Sequence, residues 1–179
     1  MKTLKFFCLA FVGTLLFATT SCENAPKNDT SECGDLVIHA EKLSQNIKKY
    51  ESVWDKIVNE RKIDLINTDM FEKDVVLVTS PENIKGIEAF KAYYNNYLVG
   101  FSDVKFTIID AYGQDDRIVK HWRFEGKHTG LFFGIPATGK SVDIEGVTLV
   151  KMKNGKIAQE QDFVDNLEFM NQLGIIPKQ

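Results

Sequence analysis

Cysteine is scarce in this chain. There are three, Cys8, Cys22 and Cys33. Past residue 22 only Cys33 remains, so neither a disulfide framework nor a cysteine metal site can be built there. Histidine is equally sparse, at three residues, and no His/carboxylate spacing suits a metal. Positive charge is not in excess: Lys and Arg number 22 against 25 Asp and Glu, a net charge of −3. That sets aside nucleic acid as a partner. The longest apolar run, Phe6 to Ala18, falls short of the about 20 residues a membrane span needs. No serine or cysteine stands in a nucleophile setting, and no internal repeat or low-complexity block is visible. What remains is 44% hydrophobic and 26% charged over 179 residues, enough for one domain with one sizeable core.

The first residues read as a targeting segment. Lys2 and Lys5 precede the run FFCLAFVGTLLFA, and Thr19-Thr20-Ser21-Cys22 follows. A charged start, a short apolar stretch and small residues before a break describe a secretory signal. A break falling on cysteine resembles the lipobox of bacterial lipoproteins. That resemblance implies cleavage before Cys22, lipid on its thiol and anchoring to the membrane of the bacterial envelope, with a secreted or periplasmic protein as the alternative. Residues 1–21 are then signal peptide and 22–35 a polar tether with nothing to bury. The domain proper spans 36–179.

From Leu36 the pattern becomes helical. Leu36, Ala40, Leu43, Ile47, Tyr50, Trp54 and Ile57 recur at steps of four and three, one face of a long helix and equally a heptad stripe. A short second helix is expected over Ile63–Phe71, a strand over Asp74–Thr79, and a third helix over Gly86–Leu98 stopped by Gly100. Strands follow at Val104–Tyr112, Arg117–His128, Ser141–Met152 and Lys156–Asp165, the last two joined by Asn154-Gly155, a strong hairpin signal. A short helix, Asn166–Leu173, ends at Gly174. Helices first and an antiparallel meander after them predict an α+β domain with helices packed on one face of a curved sheet.

One stretch, Gly134-Ile-Pro-Ala-Thr-Gly-Lys-Ser141, matches the letters of a phosphate-binding loop. Such a loop needs a helix after it, whose N-terminal amides hold the phosphates. Here Ser141 to Glu145 alternates polar and apolar as a strand does, and Pro136 removes a backbone donor. The stretch is therefore read as a connection between strands, and no nucleotide is expected. Gly146 interrupts the alternation, and a bulge is expected there, with Val147 and Leu149 continuing on a new phase.

Several separated motifs occur in a familiar order: Gly126-Lys-His-Thr-Gly130, Phe133 to Lys140, Asn154-Gly-Lys-Ile157, Glu160-Gln-Asp162, then Asp165 and Gln172-Leu-Gly174. This succession resembles the SnoaL-like polyketide cyclase family, often labelled ester cyclases, from about Val37 to Pro177. The resemblance implies a cone-shaped barrel like nuclear transport factor 2, with N-terminal helices packed on a strongly curved antiparallel sheet around an apolar cavity. It implies a small apolar or aromatic carbonyl ligand, intramolecular aldol-type ring closure without metal or cofactor, and homodimers formed through the outer sheet face. The family's acid/base aspartate matches Asp162. Period 2 puts Glu160 on the same strand face, where each carboxylate disfavours ionisation of the other. The positions that carry Gln and His in the polyketide enzymes are here Gly146 and Thr148, which thins the donors available to an enolate. His128 could orient a carbonyl or bond its own loop. Trp122 and Phe124 share a face and could line the cavity, and Tyr93, Tyr94 and Tyr97 offer hydroxyls near the same space. Asp162 is thus the catalytic candidate, with Trp122, His128, Gly146, Thr148 and Glu160 as substrate-binding candidates.

Three functions follow from this reading. One is acid/base chemistry at Asp162, the second is ligand binding without chemistry, and the third is an envelope interaction module that uses the Leu36–Ile57 stripe. The lipid anchor has its own test: Cys22→Ser should abolish labelling of the protein by a fatty-acid probe in cells, and unchanged labelling would refute the anchor.

Overall fold

The computed structural model describes residues 29–176, with side chains from Gly34 onward. The signal segment, Cys22 and the tether before Asp29 lie outside the described residues. Helix α1 spans Asp29–Val58 and so begins within the stretch expected to be a tether. Its apolar stripe divides in two. Tyr50, Val53, Trp54, Ile57 and Val58 are buried in the core, while Leu36 is 69% exposed and Val37 and Ile38 are exposed beside it.

The second helix expected over Ile63–Phe71 does not form. A single 3-10 turn occupies Ile63–Leu65, and strand β1 runs from Phe71 to Leu77, earlier than expected. Asn67 is the reason. Its Oδ1 accepts from the Asp69 amide at 2.9 Å and its Nδ2 donates to the Asp64 carbonyl at 2.9 Å, the local bonding by which asparagine competes with helix backbone. A short strand β2, Ile84–Lys85, precedes helix α2, Ile87–Gly100. Gly100 is the last helical residue and no left-handed stop. The chain passes from it straight into β3, Phe101–Gln114.

β4 (Arg117–His128), β5 (Ser141–Lys153) and β6 (Lys156–Val164) complete a six-stranded sheet of order β2-β1-β6-β5-β4-β3. The hairpin at Asn154-Gly155 has φ of 50° and 70° at its two turn residues, as an Asn-Gly turn requires. β3 to β6 form the expected antiparallel meander, but β1 joins β6 in parallel, so the sheet is mixed. Register shifts in β3 between Ser102 and Lys105 and between Ile108 and Asp110, and in β6 between Ile157 and Gln159, bend the strands. The curved sheet stays open, with β2 and β3 as its edges, and wraps α1 and α2. Helix α3, Asn166–Leu173, lies across one end. Asp165 caps it by accepting from the Glu168 amide at 3.0 Å, and Gly174 ends it at φ 71°. Gln172 docks it on β5 through both the amide and the carbonyl of Asp143, at 2.6 and 3.0 Å.

Gly146 corrects the expected bulge. β4 and β5 pair without a shift from Arg117↔Lys151 to Lys127↔Ser141, and the alternation of β5 never slips. Val142, Ile144, Gly146, Thr148, Val150 and Met152 all face inward, while Leu149 remains exposed outside. Gly146 stands opposite Trp122, and the indole lies directly on it. A Cβ at residue 146 would sit 2.3 Å from Trp122 Cζ2 and 2.7 Å from the Phe163 carbonyl. Glycine is there to admit a ring, not to break a strand.

The stretch from Gly134 to Ser141 leads into β5, a strand. Its amides are turned back on the fold. Gly139 N–H donates to the His128 carbonyl at 2.9 Å, and Thr138 N–H donates to His128 Nδ1 at 3.3 Å.

Gly146→Ala should destabilise the domain by about 1–3 kcal/mol through overpacking against Trp122. Urea denaturation would measure this, and an unchanged midpoint would show that the indole is free to move.

Candidate functional site

Strand pairing aligns the site in rows. Three inward positions follow one another across β4, β5 and β6. Ile118 faces Val150, which faces Glu160; Lys120 faces Thr148, which faces Asp162; and Trp122 faces Gly146, which faces Val164. A cavity of about 190 Å³ opens over these rows, with Asp162, Lys120 and Trp122 in its wall and Trp54, Tyr93, Tyr94, Tyr97 and Phe169 around them. Two larger hollows, of about 370 and 480 Å³, are shallow depressions on the outer sheet face and along α1 and β3.

One hydrogen-bonded chain links the polar groups. Trp122 Nε1 donates to Thr148 Oγ1 at 2.9 Å, and Thr148 Oγ1 donates to Asp162 Oδ1 at 2.5 Å. Tyr94 Oη lies 2.8 Å from Asp162 Oδ2 and 3.0 Å from Glu160 Oε2. Trp54 Nε1 donates to Glu160 Oε1 at 2.7 Å. A phenol has one proton and cannot give it to both carboxylates at once. If Glu160 is protonated, it donates to Tyr94 Oη, Tyr94 donates to Asp162, and every contact is satisfied.

The structure gathers five of the six expected residues. Asp162 and Trp122 line the cavity. Thr148 lies beneath them, fully buried, and donates to Asp162, while Gly146 lies under the Trp122 ring. Glu160 is fully buried behind Asp162. These last three support the wall and are not among the residues that line it. His128 stands apart. It is fully buried, its Nδ1 lies 3.1 Å from Thr138 Oγ1, and its ring packs on Phe101. It therefore bonds its own loop, the second of the two roles read for it. Among the described residues, no three His, Cys, Asp or Glu side chains gather closely enough to hold a metal ion.

Residues 46–173 match the family model for SnoaL-like polyketide cyclases. The chain belongs to the SnoaL-like polyketide cyclase family. It is 31% identical over 96 residues to the aklanonic acid methyl ester cyclases DauD of Streptomyces sp. (strain C5) and DnrD of Streptomyces peucetius, a match covering 53% of this chain. The match spans 59% of DauD and 66% of DnrD, less than two thirds of either relative. The solved structure of TsrD from Streptomyces laurentii superposes with a TM-score of 0.66 at 22% identity, over 73% of this chain and 96% of TsrD. That likeness establishes the nuclear transport factor 2-like fold.

Within this SnoaL-like domain the cavity wall includes a lysine that no motif in the sequence marks. Lys120 is 3% exposed and sits on an otherwise apolar inward face, between Ile118 and Trp122. That break in the alternation of β4 was its available signal. Trp54 was read only as part of a helix stripe, and its role as a donor to Glu160 comes from packing.

Burial pushes the Glu160 carboxyl up to about 7. The Lys120 charge opposes the shift and the Asp162 charge adds to it. Burial lowers the Lys120 ammonium, against the pull of Glu160 and Asp162. Burial, with the charges of Asp162 and Glu160, holds the Tyr94 phenol well above its usual range. A carboxyl raised from 4.5 to about 7 binds its proton more tightly in the folded state. Its contribution to stability is full below pH 4.5 and is lost as pH rises through 7. Glu160→Gln should flatten this part of the pH profile. Urea midpoints taken from pH 4.5 to 8 in both proteins would check it, and parallel profiles would show that Glu160 does not titrate in this window.

Proposed function

We propose that this SnoaL-like protein binds a small, largely apolar or aromatic carbonyl compound in its cavity and catalyses cofactor-free proton transfer beside the carbonyl, with aldol-type cyclisation as the reaction it serves. The observation that carries this reading is Asp162. It is a carboxylate in the wall of a cavity otherwise rich in aromatic rings, oriented by Thr148 and Tyr94. Its carboxylate takes the proton from the carbon next to the carbonyl, and the C–H electron pair becomes an enolate. In a cyclisation the enolate carbon attacks a second carbonyl of the same molecule, and the protonated Asp162 returns the proton to the new alkoxide. Glu160, its carboxyl pushed up to about 7 by burial and so partly protonated at neutral pH, reduces the negative charge beside Asp162. The ester cyclase names of DauD and DnrD support the carbonyl substrate class.

A second reading, binding without turnover, is favoured by a specific feature. Both oxygens of Asp162 already accept a hydroxyl hydrogen bond, at 2.5 and 2.8 Å, so each is engaged within the protein before a ligand arrives. Both readings include anchoring at the bacterial envelope through Cys22, supported by the lipobox-like run Thr19 to Cys22. They include a homodimer through the outer sheet face, supported by the exposed Ile109, Leu149 and Phe163.

The experiment is exchange of α-protons in D₂O, followed by NMR, across a panel of β-keto esters with the protein lacking its signal segment. Exchange above buffer should fall by about 10²–10⁴ in Asp162→Asn. Equal exchange in the two proteins, or none in either, would move the function to ligand binding.

A further inference from the structure

Lys120 is the feature that the acid/base reading leaves unused. Its Nζ lies 4.8 Å from the Trp54 ring centroid, 5.1 Å from Tyr50 and 5.2 Å from Phe106. Three ring faces hold an ammonium by their quadrupoles without neutralising its charge. Among the described residues, none forms a salt bridge or hydrogen bond with it. An unpaired cation in an apolar interior is costly, yet this one stands in the cavity wall. It also stands in one row with the proposed base: Lys120 faces Thr148, and Thr148 faces Asp162. Two strand spacings separate the backbones of Lys120 and Asp162 by roughly 10 Å, and both side chains line the cavity of about 190 Å³.

The geometry points to Lys120 as the oxyanion-binding residue of this cavity, its ammonium receiving the carbonyl oxygen of the ligand as that oxygen becomes an enolate. This deepens the proposed function and rests on it. When the proton passes from carbon to Asp162, the C–H pair forms the new C=C bond and the C=O π pair settles on oxygen. The charge leaves the carboxylate at one end of the row and appears at the other, opposite a cation fixed in place before reaction. Lys120 thereby supplies what Gly146 and Thr148 do not. Gly146 has no side chain, and the Thr148 hydroxyl is already committed to Asp162. The ligand class narrows to compounds whose carbonyl oxygen can lie next to Lys120 while the acidic carbon lies next to Asp162.

A stable oxyanion tests this apart from turnover. 4-Nitrophenol is titrated by absorbance in the presence of saturating protein, and nitrobenzene serves as its neutral counterpart. Wild type should lower the pKa of the bound phenol by about one unit or more, a tenfold preference for the phenolate. Lys120→Met and Lys120→Gln should lose that preference and still bind nitrobenzene, which shows an intact cavity. Asp162→Asn should keep or strengthen it. The assignment is overturned if wild type binds neither compound, if the bound phenol keeps or raises its pKa, or if the neutral variants retain the preference. It is also overturned if borohydride with a β-keto ester traps a covalent adduct on Lys120, which would make the amine a nucleophile. A phenolate preference that depends on Lys120, together with proton exchange that does not depend on Asp162, would leave the oxyanion site standing and remove only the base.

Discussion

Two carboxyl groups on one inward face of β6 are the constraint around which the rest of the site is arranged. Glu160 and Asp162 are next neighbours on that face, Glu160 wholly shielded from water, and the Asp162 charge adds to the cost of ionising Glu160. The surrounding donors answer that cost. Trp54 from α1 and Tyr94 from α2 reach Glu160, and Tyr94 and Thr148 reach Asp162. Helices α1 and α2 thus close the cone and also satisfy the polar groups of its base, so packing and chemistry share the same side chains.

The Lys120 charge belongs to the same arrangement. It draws the Glu160 carboxyl down while burial draws it up, and burial draws Lys120 itself down while the carboxylates hold it up. With no direct ion pair, the three groups interact through space. Under the proposed function a ligand meets the Lys120 cation on one side and the Asp162 carboxylate on the other, with aromatic walls around both.

The fold tolerates wide divergence because its requirements are distributed. TsrD shares the architecture at 22% identity. In this chain the sheet bends through register shifts in three strand pairs, and α3 is fixed by a cap, a left-handed glycine and one glutamine. No single motif carries the cone, so the lining can change while the frame persists.

The sequence by itself determined the elements whose signals are local. The Asn154-Gly155 turn, the limits of β4 and the cap and stop of α3 depend on residues next to one another in the chain. The shared face of Glu160 and Asp162 was also legible, because strand alternation is a local rule, while Asp162 itself was singled out by the family resemblance alone. The Asn67 turn is local too, but helix periodicity over Ile63–Phe71 does not show it. Three features needed the tertiary structure. β1 found β6 in parallel, a pairing between distant segments. Gly146 looked like a bulge because the ring that fills its space comes from Trp122 on another strand. Lys120 looked like an ordinary strand lysine until α1 brought Tyr50 and Trp54 over it. Burial, ring contacts and shifted ionisation arise between segments far apart in sequence, so only the folded chain decided which side chains form the wall and which stand behind it.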